Sequence, residues 1–119
     1  MPSSDAAPIL ASDQVTHHQH EQLVAYLQDL ESCAARGDTE QFHLVLNNFG
    51  HTMQAHFDRE ESLLQAVSSH IMLNHRDQHE ALIESFAEFC VQLSEALGEE
   101  RLLRLVAAQL REQFFRHIS

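Results

Sequence analysis

His56 to Leu64 reads HFDREESLL. On a helix, residues three and four apart share a face, so His56, Glu60 and Leu64 line one stripe, flanked by Phe57 and Leu63. Phe and Leu turn that stripe towards a core. His and Glu do not belong in a core without partners. The stretch therefore asks for further elements that bring partners to His56 and Glu60.

Working outwards, helical punctuation recurs on both sides. Residues 1–11, rich in Ser, Ala and Pro, read as a flexible arm, and 12–119 as one domain. Ser12 or Asp13 caps a first helix that runs to Gly37, with Leu23, Tyr26, Leu27, Leu30 and Ala34 inward. Gly37 stops it and Asp38 caps the next. The second helix spans about Thr39 to Val67, with Phe42, Val45, Phe49, Met53, Phe57, Leu63, Leu64 and Val67 inward and Gly50 mid-helix at a modest cost. After the break at Ser68–His70, a third runs from about Ile71 to Leu97 on a stripe of Leu82, Ile83, Phe86, Phe89, Cys90, Leu93 and Leu97. Gly98 ends it. A fourth covers Glu99 onward, with Leu102, Leu103, Val106, Leu110 and Phe114 inward. Four amphipathic helices on short loops predict an all-α, up-down-up-down antiparallel four-helix bundle.

Composition narrows the function. Eighteen acidic residues face seven basic ones, all Arg, for a net charge of −11. That balance argues against nucleic acid or an anionic membrane as partner, since both want a basic patch. The opening residues do not read as a signal peptide, and no segment approaches the ~20 apolar residues a span needs. A cytoplasmic protein is expected. Cys33 and Cys90 sit at or beside apolar positions and read as free thiols acting as small hydrophobes, with no CxxC motif.

Ten histidines are the unusual count. His20 lies near the start of the first helix, one turn before Leu23. His56 and Glu60 lie near the end of the second. His75 and His79 extend the third stripe backwards, and His117 follows Phe114 at the end of the fourth. In this topology those four helix ends are the same end, so all six residues converge inside the bundle. Two i,i+4 pairs, His56/Glu60 and His75/His79, each offer two donors from one helix face. Counted from that end, the donors fall in two layers, ~8–10 Å and ~14–16 Å deep, which suits two metals. Imidazole and carboxylate donors fit iron, manganese or zinc; five His with a bridging carboxylate lean to iron. His17, His18, His43, His51 and His70 fall off the stripe or in a loop. Of these, His18 and His51 are the alternatives for supporting a ligand from behind.

This pattern resembles the hemerythrin family, in its bacterial, HHE-type form, over about His20 to His117. HHQHEQL resembles the first-helix signature, HFDREESLL the His-Phe-x-x-Glu-Glu signature, HRDQH the third-helix His-x-x-x-His, and FFRHI the fourth-helix ending. The resemblance implies two non-haem iron ions (Fe2+/Fe3+) with an oxo or hydroxo bridge, and reversible O2 binding at one of them. It implies that His75, His79 and His117 hold one iron, that His20 and His56 hold the open one, and that Glu60 bridges. It also places Phe114, three before the fourth-helix His, on the wall of the O2 pocket. The chain departs from the family at one bridging Asp, whose position would be 122, past Ser119. Either the chain continues in a longer protein, or Glu61, water or an exogenous carboxylate takes that place; a weakened or asymmetric pair of metals follows. The aromatic-rich stretch that precedes the family's first helix is also absent, and there is no Trp.

The leading expectation is an O2 carrier or sensor domain, binding O2 or another small diatomic, as a monomer or weak homo-oligomer. The rival expectations are an N-terminal redox or O2-sensing module of a longer signalling protein with its own partner, an enzyme reducing peroxide or nitric oxide at the same metals, and a zinc-stabilised or metal-free bundle.

Overall fold

From the head of the first helix to the start of the third, each helix start and stop can be assigned to a particular group. The computed structural model describes residues 13–95 and 100–118, with side chains for 13–94 and 101–114. The expected N-terminal arm, 1–11, lies outside the described residues. Four helices follow in order: α1 (Gln14–Arg36), α2 (Thr39–Gln65), α3 (Ser69–Glu95) and α4 (Glu100–Ile118). Asp13 caps α1 by accepting from the Thr16 backbone N–H and from its hydroxyl. Gly37 takes the left-handed conformation, φ 68°, that a side chain would resist. This lets the Gly37 N–H donate to Ala34 O and the Asp38 N–H to Cys33 O, closing α1 with two carbonyls satisfied. Asp38 then caps α2 by accepting from the Gln41 N–H. One Gly and one Asp thus reverse the chain.

The helices form the expected four-helix bundle, with no strand among the described residues. Each helix packs on its neighbours in the cyclic order α1, α2, α3, α4. Antiparallel running shows in contacts between helix ends: Arg59, late in α2, reaches Asp13 at the head of α1 at 2.9 Å, and Phe114, late in α4, lies 6.2 Å from the ring of His20, early in α1. Arg111 of α4 also meets Glu31 of α1 at 3.0 Å. The bundle measures 46 × 23 × 21 Å, close to the ~40 Å length of a 27-residue helix. Leu23, Leu27, Leu30, Phe42, Phe49, Phe57, Leu93, Leu103 and Val106 are almost wholly withdrawn from water. Each such side chain contributes about 1.5–3 kcal/mol of transfer free energy. Cys33 is buried and Cys90 half-buried, both free thiols. Among the described residues no helix is long and apolar enough to cross a membrane.

Two boundaries differ from the sequence reading. α2 ends at Gln65, two residues early, because the Val67 and Ser68 N–H groups both turn back onto Leu64 O. Val67, expected inward, is therefore 62% exposed. α3 begins at Ser69, with the Ser68 hydroxyl accepting from the Ile71 N–H, so His70 lies in the first turn of a helix and not in a loop. The expected ends at Leu97 and Glu99 fall outside the described residues. The α3 stripe is also shallower than expected: Leu82, Ile83 and Phe86 are half-buried, packed against the core's edge.

Candidate metal centre

The end of the bundle that holds the head of α1 carries the polar residues of the apolar stripes. His56, Glu60, His75 and His79 are all buried, and His20 is half-buried. α2 brings His56 and Glu60 to one face because they are four apart. α3 brings His79 opposite them. Glu60 Oε1 lies 3.2 Å from His79 Nε2 and 3.5 Å from His56 Nε2. His20 of α1 stacks beside His56 with centroids 6.4 Å apart, and His75 meets His79 edge to face at 5.9 Å. His117 lies within α4; its side chain is outside the described residues.

Two donors bound to one cation at ~2.1 Å, with angles of 90–110°, lie about 3.0–3.4 Å apart. The Glu60–His79 spacing falls inside that range and the Glu60–His56 spacing just beyond it. No three His, Cys, Asp or Glu side chains among the described residues close into a metal cage as they stand. The donors therefore converge on Glu60 without yet forming a complete shell.

Whether the residues suit a cation can be judged from the nitrogens. His20 Nε2 is shut from solvent and has no hydrogen-bond partner among the described residues, a state that costs about 1–3 kcal/mol. Burial pushes His20 below its ordinary protonation range, and the nearby His17 adds to this against the pull of Glu60 and Glu21. The ring is thus neutral at neutral pH, with a lone pair to offer. Four imidazoles and one carboxylate form a donor set that suits iron, manganese or zinc. The residues fit.

Two neighbours complete the site. Phe114, buried on α4, lies 6.2 Å from the His20 ring and 6.5 Å from the His56 ring, which sets an apolar wall beside both. Behind it is a cavity of about 10 Å³ between Phe49, Met53, Leu82, Leu110, Gln113 and Phe114, close to the size of one water. The second neighbour is Glu61, weighed from sequence only as a stand-in for the missing bridge. Its Oε2 lies 2.9 Å from His79 Nδ1, within hydrogen-bond reach, and its Oε1 lies 3.6 Å from Arg76. Its carboxylate is thus engaged at the edge of His79 opposite Glu60. The sequence signal was Phe57, Glu60 and Glu61 at i, i+3 and i+4, one face wrapping one partner residue. His18 and His51, the alternatives for that supporting role, are both exposed, as are His17 and His70, and His43 is half-buried.

Searches against family models, curated proteins and solved structures return no match to this chain.

Proposed function

We propose that the chain is a hemerythrin-like domain that holds two non-haem irons and binds O2 reversibly, as a carrier or a sensor. The observation that carries this reading is the placement of the Glu60 carboxylate between imidazoles of two helices, with the Phe114 ring alongside. His20, His56, Glu60, His75 and His79 would hold the metals, with His117 from α4. Bound iron would supply the redox electrons and the vacant coordination position that O2 binding requires.

The chain's own residues supply the rest. Glu60 offsets the cationic charge inside the bundle, where an unpaired charge is costly. His20, kept neutral by burial, presents a donor on the Phe114 side. Phe114 keeps water from that side, which slows loss of the reduced state. The −11 charge leaves the surface repellent to nucleic acid and agrees with a small neutral ligand.

Anaerobically reduced, iron-loaded protein tests the reading. Exposure to O2 should produce a visible charge-transfer band that disappears when O2 is removed. Full iron loading with no such band overturns it. Metal analysis of untagged protein separates iron from zinc at the outset.

A further inference from the structure

One imidazole in this bundle is held on three sides by a single helix face. Phe57 stacks flat on His79, with centroids 4.0 Å apart and planes 6° from parallel. Glu60 lies at its Nε2 edge and Glu61 at its Nδ1 edge, at 3.2 and 2.9 Å. Phe57 fixes the plane of the ring. It cannot fix which nitrogen carries the proton, because a stacked ring is indifferent to that.

Two carboxylates compete to decide it. An ionised carboxylate only accepts, so each draws an N–H towards itself. The shorter contact belongs to Glu61. Its second oxygen is steadied by Arg76, which projects from the same helix as His79, one turn earlier at position 76. A surface ion pair of that kind alone contributes little; what sets Glu61 apart is that its other oxygen lies on a ring only 1% exposed.

We propose that Glu61 is a positioning residue: it takes the Nδ1 proton of His79 and so turns the Nε2 lone pair towards the point shared with Glu60. A neutral imidazole has one N–H and one lone pair, and the partner of the first decides the direction of the second. Without Glu61, the proton moves to Nε2, where Glu60 waits as acceptor, and the ring presents N–H where a donor lone pair is wanted. The same face would thus lose its grip on a cation while every contact of Phe57 persisted. The affinity part of this inference rests on the proposed metal reading; the tautomer part does not.

The experiment compares wild type, Glu61→Gln and Glu61→Ala. In metal-free protein at alkaline pH, with the rings neutral, long-range proton–nitrogen spectra report the His79 tautomer. Wild type and Glu61→Gln, whose amide oxygen still accepts, should show Nδ1–H; Glu61→Ala should shift the proton to Nε2. Unchanged helical circular dichroism shows that each variant folds, since Glu61 sits at the surface edge and its loss strands no buried charge. Cobalt(II) titration should then show a 10–100-fold weaker site in Glu61→Ala, largely restored in Glu61→Gln. Retention of Nδ1–H in Glu61→Ala overturns the inference, as does equal cobalt affinity in all three. A wild type that takes up neither cobalt nor iron sinks the proposed function instead, and the tautomer spectrum still decides the role of Glu61.

Discussion

Phe86 of α3 seats its ring over the bare Cα of Gly50 in α2: a Cβ at Gly50 would meet two ring carbons at 2.8 Å. A mid-helix Gly otherwise costs up to about 1 kcal/mol against Ala. Here it lets an aromatic ring approach the helix backbone, and that ring in turn packs on Phe49 at 5.9 Å.

Gly50→Ala should therefore destabilise the bundle by about 1 kcal/mol net, because overpacking of about 1–3 kcal/mol outweighs the gain in helix propensity. Urea unfolding checks it. Adding Phe86→Leu to Gly50→Ala should recover part of the loss, as contacting pairs couple. A more stable Gly50→Ala single variant would show that the ring tilts away freely.

Glu60→Gln should uncouple stability from metal binding. Gln has the same shape, can still hydrogen-bond to the His56 and His79 edges and carries no charge to desolvate, so the metal-free bundle should stay close to wild type in stability. Wild type should gain about 2.7 kcal/mol when free metal is a hundred times its Kd, and the variant should gain far less. Thermal melts with and without ferrous iron under anaerobic conditions measure both. An equal metal-dependent rise in Tm in the two proteins would remove Glu60 from the site.

Phe114→Ala should cost about 3–5 kcal/mol, the range for emptying a buried aromatic position. Phe114→Leu should cost under about 1.5 kcal/mol and is the better probe of function. In that variant, reduced iron-loaded protein should oxidise faster in air, as the wall beside His20 and His56 thins. Equal oxidation rates in the variant and wild type would confine Phe114 to packing.

Asp13 ties the head of α1 to Arg59 of α2, and the Arg59 guanidinium with the Thr16 hydroxyl and N–H holds its carboxyl well below its ordinary value of 3.8. The unfolded chain then takes up the proton first as pH falls. Asp13 therefore stabilises fully above that ordinary value and progressively less below it. Asp13→Asn keeps a capping oxygen but loses the charge; Asp13→Ala loses both. Melting temperatures at neutral pH should rank wild type, then Asn, then Ala. The gap between wild type and Asn should close under acid below 3.8. A gap that persists there would mean that the Arg59 pairing contributes nothing.

Much of this molecule was written in local signals. Asp13, Gly37 and Asp38 mark two helix starts and a stop because capping is decided within a few residues of chain. Stripes such as Leu23, Leu27 and Leu30, or Phe42, Phe49 and Phe57, name the buried faces because the helical period is a property of the backbone alone. The same period, joined to the topology, was enough to bring His20, His56, Glu60, His75 and His79 to one end. Val67 was misread because its stripe continued in register past a turn that closes on Leu64. The closeness of Phe86 to Gly50, the shallowness of Leu82 and Ile83, and the capture of His79 by Glu61 were decided only in the folded bundle. Each depends on how far one helix slides and rotates against another. Sequence spacing sets which residues share a face, but the depth of contact between two faces is fixed by the side chains of both helices at once.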